Sequence, residues 1–280
     1  MVEIRNMSFG YKKKRLFSGL DLALLPGNIY GLLGKNGAGK TTLLKIISGL
    51  RLAQEGSCSV LGYDPARRPA PLLEEICFIA EELYVPALSP DLYETLHAPL
   101  YPRFDHEAFR TFLGEFEIND DKRLSELSYG QKKKFLIAFG LASRCRLLLM
   151  DEPTNGLDIP SKSQFRRLLA RAGGTDQVIL VSTHQVRDME NLIDPIIILD
   201  EGRIIFQQAL REVGTRLRAS IQSVEPTDEG ALFAEKTLGG WAVLRENAGQ
   251  EETNMDLETL FNAVTAEGGR VRAMFEGGAR

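Results

Sequence analysis

Residues 34–41 read GKNGAGKT, and no other stretch of the chain limits its fold so tightly. They match G-x-x-x-x-G-K-[ST], follow the apolar run NIYGLL (Asn28 to Leu33) and precede LLKIISGL, whose apolar residues recur at helical spacing until Gly49. Strand, glycine loop and helix in that order make a phosphate-binding loop. The glycines let the backbone wrap closely, so that its N–H groups and the helix N-terminus face the phosphates. Lys40 supplies a point charge, and Thr41 can ligate Mg2+. A glycine-rich turn that merely caps a helix would not need every fixed position of the pattern filled. Nucleotide binding is the first functional expectation.

The rest of the chain supports an α/β reading. Strand character is expected at Val2 to Ile4, Leu20 to Leu24, Ser57 to Leu61, Ile76 to Ala80, Leu147 to Met150, Val178 to Ser182 and Ile196 to Leu199. Helical stretches are expected at 161–172 and 185–193, and a mostly helical insert at 84–143, broken by Pro86, Pro90, Pro99 and Pro102. Such alternation favours a mainly parallel sheet. Past Gly214 the patterns weaken, apart from an amphipathic LETLFNAV (Leu257 to Val264). The segment from Ile221 to Arg280 carries eleven acidic and five basic residues, against a net charge of -4 for the whole chain. This acidic end is compositionally a separate object.

LLLMDEPTNGLD (Leu147 to Asp158) is an apolar run ending in adjacent carboxylates. A buried strand with Asp151 at its C-terminal edge can hold Mg2+, while Glu152 can polarise an attacking water. Kinases, GTPases and motors share these elements with the phosphate loop, so the choice among them rests elsewhere. SELSYGQKKK (Ser125 to Lys134) supplies it. Ser128 and Gln131 fit an S-x-x-Q capping box, and the following FLIAFGLA is apolar nearly all round, as in a helix buried in protein. Gly130, a poor helix former, leaves the helix N-terminus bare as an anion site. Lys132, Lys133 and Lys134 read as a solvated run, and because successive helical positions fan out by about 100° they cannot form one phosphate-facing cluster.

With these residues in view, the chain resembles the ABC ATPases. LSYGQ is similar to the LSGGQ signature, Gly34 to Thr42 to Walker A, and Met150-Asp151-Glu152-Pro153 to the end of Walker B. Asn155-Gly156-Leu157-Asp158 resembles the D-loop, His184 in VSTH the switch histidine, and Tyr11 the adenine-stacking aromatic. The resemblance covers about residues 1–210. It implies a P-loop NTPase with a RecA-like core, an antiparallel β subdomain, a helical subdomain at about 82–143, and a small C-terminal acidic appendage at 211–280. It implies ATP and Mg2+ as ligands, held in cis by Tyr11, Gly34, Asn36, Gly37, Ala38, Gly39, Lys40, Thr41 and Thr42. Ser128, Gly130 and Gln131 would contact the γ-phosphate across a head-to-tail dimer, homomeric or heteromeric, with Asp158 communicating between subunits. Glu152 would be the general base, His184 and Lys40 would complete the catalytic set, and Thr41, Glu81 and Asp151 would serve the metal.

Two positions depart from the family pattern. Tyr129 replaces a glycine of the signature, and Glu81 stands where the family usually has a glutamine after the strand EICFIA. A glutamate oxygen can serve Mg2+ equally, but it adds a negative charge beside the phosphates. The chain lacks a signal-peptide pattern and an apolar run of membrane-spanning length. The three cysteines, Cys58, Cys77 and Cys145, form no C-x-x-C pair, which points to a reducing compartment. The resemblance therefore implies a cytoplasmic ATPase, peripheral on the cytoplasmic membrane face through a separate integral permease, most like those of ABC-2-type exporters, with no nucleic-acid partner. The alternative is a soluble ABC ATPase acting on a nucleic-acid or ribosomal partner; it lacks the support of a long inserted coiled coil or a second ATPase domain.

Overall fold

The computed structural model describes residues 1–12, 14–118, 122–189, 192–228, 230–249, 255–266 and 269–276. A long hairpin opens the chain: β1 (Val2–Tyr11) pairs antiparallel with β2 (Lys14–Leu24), well beyond the short strands expected there. After β3 (Asn28–Leu33) and α1 (Lys40–Ile47), β4 (Glu55–Val60) adds to the far side of β1, giving the order β2-β1-β4. A single turn of helix, α2 (Ala70–Leu73), leads into β5 (Ile76–Ile79).

The central sheet has six strands in the order β5-β6-β7-β3-β8-β9, where β6 is Leu147–Asp151, β7 Val178–Thr183, β8 Ile196–Asp200 and β9 Arg203–Gln208. Its ladders are parallel except the last, where β9 returns antiparallel along β8. Every residue of β6 and β7 is buried, as expected of parallel strands covered on both faces. Alternate residues feed opposite cores. Leu147, Leu149, Val178, Leu180 and Leu32 join Phe17, Leu43 and Leu44 beneath α1 and the N-terminal sheet. Leu148, Met150, Ile179 and Val181 join the other core, shared with α6 (Ile159–Ala172) and the helical insert.

That insert contains α3 (Pro90–His97), α4 (His106–Glu115) and α5 (Tyr129–Ala142). Aromatic residues hold it together: Phe109 lies 5.8 Å from Phe135 and 5.7 Å from Phe139 between ring centroids, edge to face. Phe135 and Phe139 sit one turn apart on α5, the spacing that stacks side chains on one helix face.

One expectation fails here. The segment at 185–193 is no helix: its described residues hold a single 3-10 turn, Val186–Met189, and Glu190 and Asn191 lie outside them. The chain has to turn back into the sheet, where Asp194 N donates to Ile29 O, and too few residues remain for a full helix. The weak pattern past Gly214 conceals α7 (Leu210–Arg216) and a second antiparallel sheet of β10 (Leu217–Gln222), β11 (Ala231–Thr237) and β12 (Gly240–Glu246) in the order β10-β12-β11. Most of β11 is half-buried or exposed on both faces, which erases the period-two signal a strand needs to be read. The amphipathic stretch forms α8 (Leu257–Thr265), followed by α9 (Arg270–Glu276). Leu257, Leu260, Val264, Val271 and Phe275 merge with the core beneath α5 and α6. An ion pair of 2.6 Å between Arg187 and Glu258 ties α8 to the turn after His184.

Candidate functional site

The sheet order puts the chemistry in one place. β3, β6 and β7 are adjacent and parallel, so the loops leaving their C-terminal ends meet at one edge, where α/β sheets bind ligands. A cleft of about 690 Å³ opens there, lined by Tyr11, Asn36, Gly37, Gly39, Lys40, Thr41, Thr42, Glu81, Glu152 and His184, together with Lys14, Leu16 and Asn155. That volume is in the range of small-molecule sites.

The glycine loop leaves β3 and enters α1 through Gly39, whose φ of 110° is a left-handed conformation that side chains rarely adopt. Lys40 is buried, with Nζ donating to Gly34 O at 2.8 Å and standing 3.5 Å from Glu152 Oε1. Thr41 Oγ1 donates to Asp151 Oδ2 at 2.7 Å, and Ser182 Oγ of β7 donates to Asp151 Oδ1 at 2.5 Å. Thr42 Oγ1 lies 3.1 Å from Tyr11 Oη. The Tyr11 ring is exposed at the cleft mouth, whereas Phe9 on the same strand is buried in the core beside it. Ala38 is partly buried on the loop.

Glu152 has a left-handed backbone, φ 46°, uncommon for a residue with a side chain. Its N–H donates to Ser182 O at 3.1 Å, and its carboxylate points into the cleft. There His184 Nδ1 lies 2.9 Å from Oε1, and His184 N donates to Oε2 at 3.3 Å. Glu81 Oε1 accepts from Asn155 Nδ2 at 3.1 Å, and Asn155 Oδ1 accepts from Gln185 Nε2 at 3.2 Å.

The signature residues do not line this cleft. Ser128 and Gln131 form the expected reciprocal box: Gln131 N donates to Ser128 Oγ at 3.2 Å and Ser128 N to Gln131 Oε1 at 3.0 Å. Ser128 is exposed. Asp158 caps α6, accepting from Ser161 N at 2.9 Å; the Ser161 hydroxyl and amide hold its carboxyl below the usual range. Gly130 has a packing reason that the sequence does not record, since a Cβ there would stand 3.1 Å from Gly156 O.

The lysine run is where the sequence reading is corrected. Lys133 is not solvated: it is fully buried, and its Nζ donates to Glu152 O at 2.7 Å. Burial pulls its pKa down, while Glu81, Glu152 and Asp151 push it back up. Fanning by about 100° per residue spreads three lysines around the helix, but on a helix buried nearly all round one of them has to point inward. The signal was therefore present in FLIAFGLA.

The donors suit the expected ligands. Oxygen atoms of Thr41, Asp151 and Glu81 fit a hard cation that also uses substrate phosphates, as Mg2+ does. Among the described residues no group of three or more His, Cys, Asp or Glu forms a metal cage, so the phosphates would have to complete the coordination.

Comparison with known proteins agrees with this arrangement. A family model described as ABC transporter matches residues 17–155. The lantibiotic transport ATP-binding protein SrtF of Streptococcus pyogenes is 32% identical over 222 residues, 74% of this chain and 90% of that protein. The Nod factor export ATP-binding protein I of Burkholderia orbicola (strain AU 1054) is 30% identical over 274 residues, 93% and 84% of the two chains. A solved structure described as an ATP binding subunit of an ABC transporter superposes with a TM-score of 0.68 at 26% identity, covering 76% of this chain and 91% of that one. With the phosphate loop, the paired carboxylates and the capped signature helix in one fold, the chain belongs to the ATP-binding proteins of the ABC transporter family.

Proposed function

We propose that this chain hydrolyses Mg2+-bound ATP to drive export through a separate membrane subunit. The observation that carries the reading is the convergence of Lys40, Glu152 and His184 within 3.5 Å and 2.9 Å contacts at one cleft edge, beside Thr41 and Asp151. Lys40, the loop amides and the N-terminus of α1 bind the phosphate chain. Tyr11 stacks on the base. Thr41 and Asp151, with Glu81, hold Mg2+, which when bound neutralises charge on the phosphates. Glu152 accepts the proton of the attacking water, and His184 orients that water and the γ-phosphate. This is in-line transfer to water, in which the protein contributes positioning and electrostatics.

Ser128, Gly130 and Gln131 lie outside the lining of their own cleft, with Ser128 exposed and the other two half-buried; in this reading they complete the site of a second subunit in a head-to-tail dimer. Asp158 lies beside that interface. No helix among the described residues is long and apolar enough to cross a membrane; in this reading a separate membrane subunit supplies the translocation path. The helical subdomain offers it a face: Tyr84, Leu92, Leu96 and Leu100 are exposed there, with Leu92 and Leu96 one turn apart on α3. Export is supported by the transport and export roles named for the two relatives. The test is Glu152→Gln. The variant is expected to bind ATP, to dimerise on it and to hydrolyse it at least about a hundredfold more slowly; turnover at the wild-type rate would remove Glu152 from the role.

A further inference from the structure

Tyr129 and Lys133 stand one turn apart at the start of α5, on the same helix face. Both reach back into their own chain rather than out toward a partner. Tyr129 Oη donates to Glu81 O at 2.9 Å. Its ring lies close against the loop at Gly156, where an added Cβ would stand 2.7 Å from Tyr129 Cε1. The φ of Gly156, 78°, lets the loop pass there without a side chain. Lys133 Nζ sits 5.3 Å from the centre of the Tyr129 ring and donates to Glu152 O.

A buried lysine needs only some acceptor. This one takes the main-chain carbonyl of the residue whose carboxylate faces Lys40 and His184, while Tyr129 takes the main-chain carbonyl of the other cleft glutamate. Glu152 also has a left-handed backbone, a conformation that persists only where its surroundings over-determine it. It is held at its N–H by Ser182, and its carbonyl accepts from Lys133 Nζ at 2.7 Å and, less closely, from Asn155 N at 3.2 Å. Losing the Lys133 bond would leave the carbonyl to the longer Asn155 contact alone and loosen the peptide that aims the carboxylate at the water it must polarise.

We propose that Tyr129 and Lys133 are positioning residues, a clamp that ties the start of α5 to Glu81 and Glu152 of the same chain. The orientation of the hydrolytic carboxylate then depends on where the N-terminus of α5 sits. In the dimer that N-terminus meets the partner's nucleotide, so the clamp makes each chain's own hydrolysis sensitive to nucleotide in the opposite site. This rests on the role proposed for Glu152 above. It also gives one purpose to the family position where tyrosine replaces glycine and to the lysine that the sequence presents as decoration.

The experiment uses the full chain and three variants, Tyr129→Phe, Lys133→Met and the double variant. It reads kcat and KM for ATP at saturating Mg2+, with thermal melting as a check on folding. Tyr129→Phe keeps the ring on Gly156 and removes one hydrogen bond; kcat is expected to fall about fivefold with KM within about twofold. Lys133→Met is expected to lower kcat more than about tenfold, again with little change in KM. The double variant is expected to lose less than the product of the two single effects, because both act on one unit. A role confined to stability would lower the melting temperature and leave kcat alone, and that result would overturn the clamp, as would effects confined to KM. If Lys133→Met does not fold, Tyr129→Phe decides by itself. An active wild type with an unchanged Tyr129→Phe overturns the clamp alone, whereas a wild type that does not hydrolyse ATP overturns the functional reading and the clamp with it.

Discussion

Replacing Glu81 by glutamine removes one negative charge from the cleft while keeping an oxygen that can accept from Asn155 Nδ2, now at 3.1 Å. The backbone carbonyl bonded to Tyr129 is also kept, so the change is electrostatic more than structural. Glu81 shares the cleft wall with Lys40, Thr41 and Glu152 and is partly exposed, which calls for an effective dielectric between interior and water. At about 40, and for groups about 8 Å apart across the cleft, one pair of unit charges is worth about 1 kcal/mol. A divalent cation loses about twice that when Glu81 is neutralised, and each phosphate charge gains about as much as it was repelled. Salt trims both effects, leaving about a tenfold rise in the Mg2+ concentration for half-maximal ATPase and, because the triphosphate carries at least two such charges, at least about a tenfold tightening of ATP binding without metal. The two shifts have opposite signs, and that is the diagnostic. A fluorescent ATP analogue titrated in EDTA gives the second, and ATPase rate against Mg2+ gives the first. Shifts in the same direction, or none, would refute the assignment of Glu81 to the metal and phosphate field; a glutamate that only braces Asn155 would leave both curves in place.

Two further outcomes follow from the packing. Phe109→Ala empties the centre of the helical insert, where the ring is fully buried between Phe104, Phe135 and Phe139; a loss of about 3–5 kcal/mol is expected in urea unfolding, and a loss below about 1 kcal/mol would mean that the aromatic cluster does not hold the insert. The thiols should be inert in the native protein, because burial raises all three: Cys58 to about 12, with Asp64 adding to it, Cys145 to about 11, and Cys77 further still. A raised thiol pKa leaves little thiolate at neutral pH, so a disulfide dye at pH 8 should react only after denaturant is added, and a fast native phase would contradict the burial of these side chains.

What the sequence made legible follows from how strongly each local signal constrains the backbone. The glycine loop, the buried strands β6 and β7 and the box of Ser128 and Gln131 are each specified by residues within a few positions of one another, and each stands where its pattern puts it. The antiparallel strand β9 and the sheet of β10, β11 and β12 were hidden because their faces are half wet, so no alternation marks them. The short turn at Val186–Met189 was hidden for another reason: its length is set by the pairing of Asp194 with Ile29, a contact no local pattern records. Lys133 is hidden because a charged side chain is ordinarily a sign of solvent, whereas the helix carrying it has no broad wet face.

The two departures from the family pattern, legible one by one, turn out to touch. Glu81 brings an additional carboxylate to a cleft that has to accept a polyanion, and by itself that charge opposes ATP binding. Lys133 faces the same carboxylate from inside the protein, and Glu81 is the group that does most to keep its ammonium charged against the cost of burial. Between them, Tyr129 holds the Glu81 main chain and covers the lysine with its ring. A buried cation without these neighbours would be expelled or neutralised, and an unbalanced glutamate would weaken the phosphate site. Neither residue is therefore well described as a substitution at its own position. The pair sets a carboxylate backed by a buried ammonium where the family usually has a neutral glutamine, which offsets the added charge, and under the proposed clamp it would fasten the start of α5 to the loop that carries Glu152.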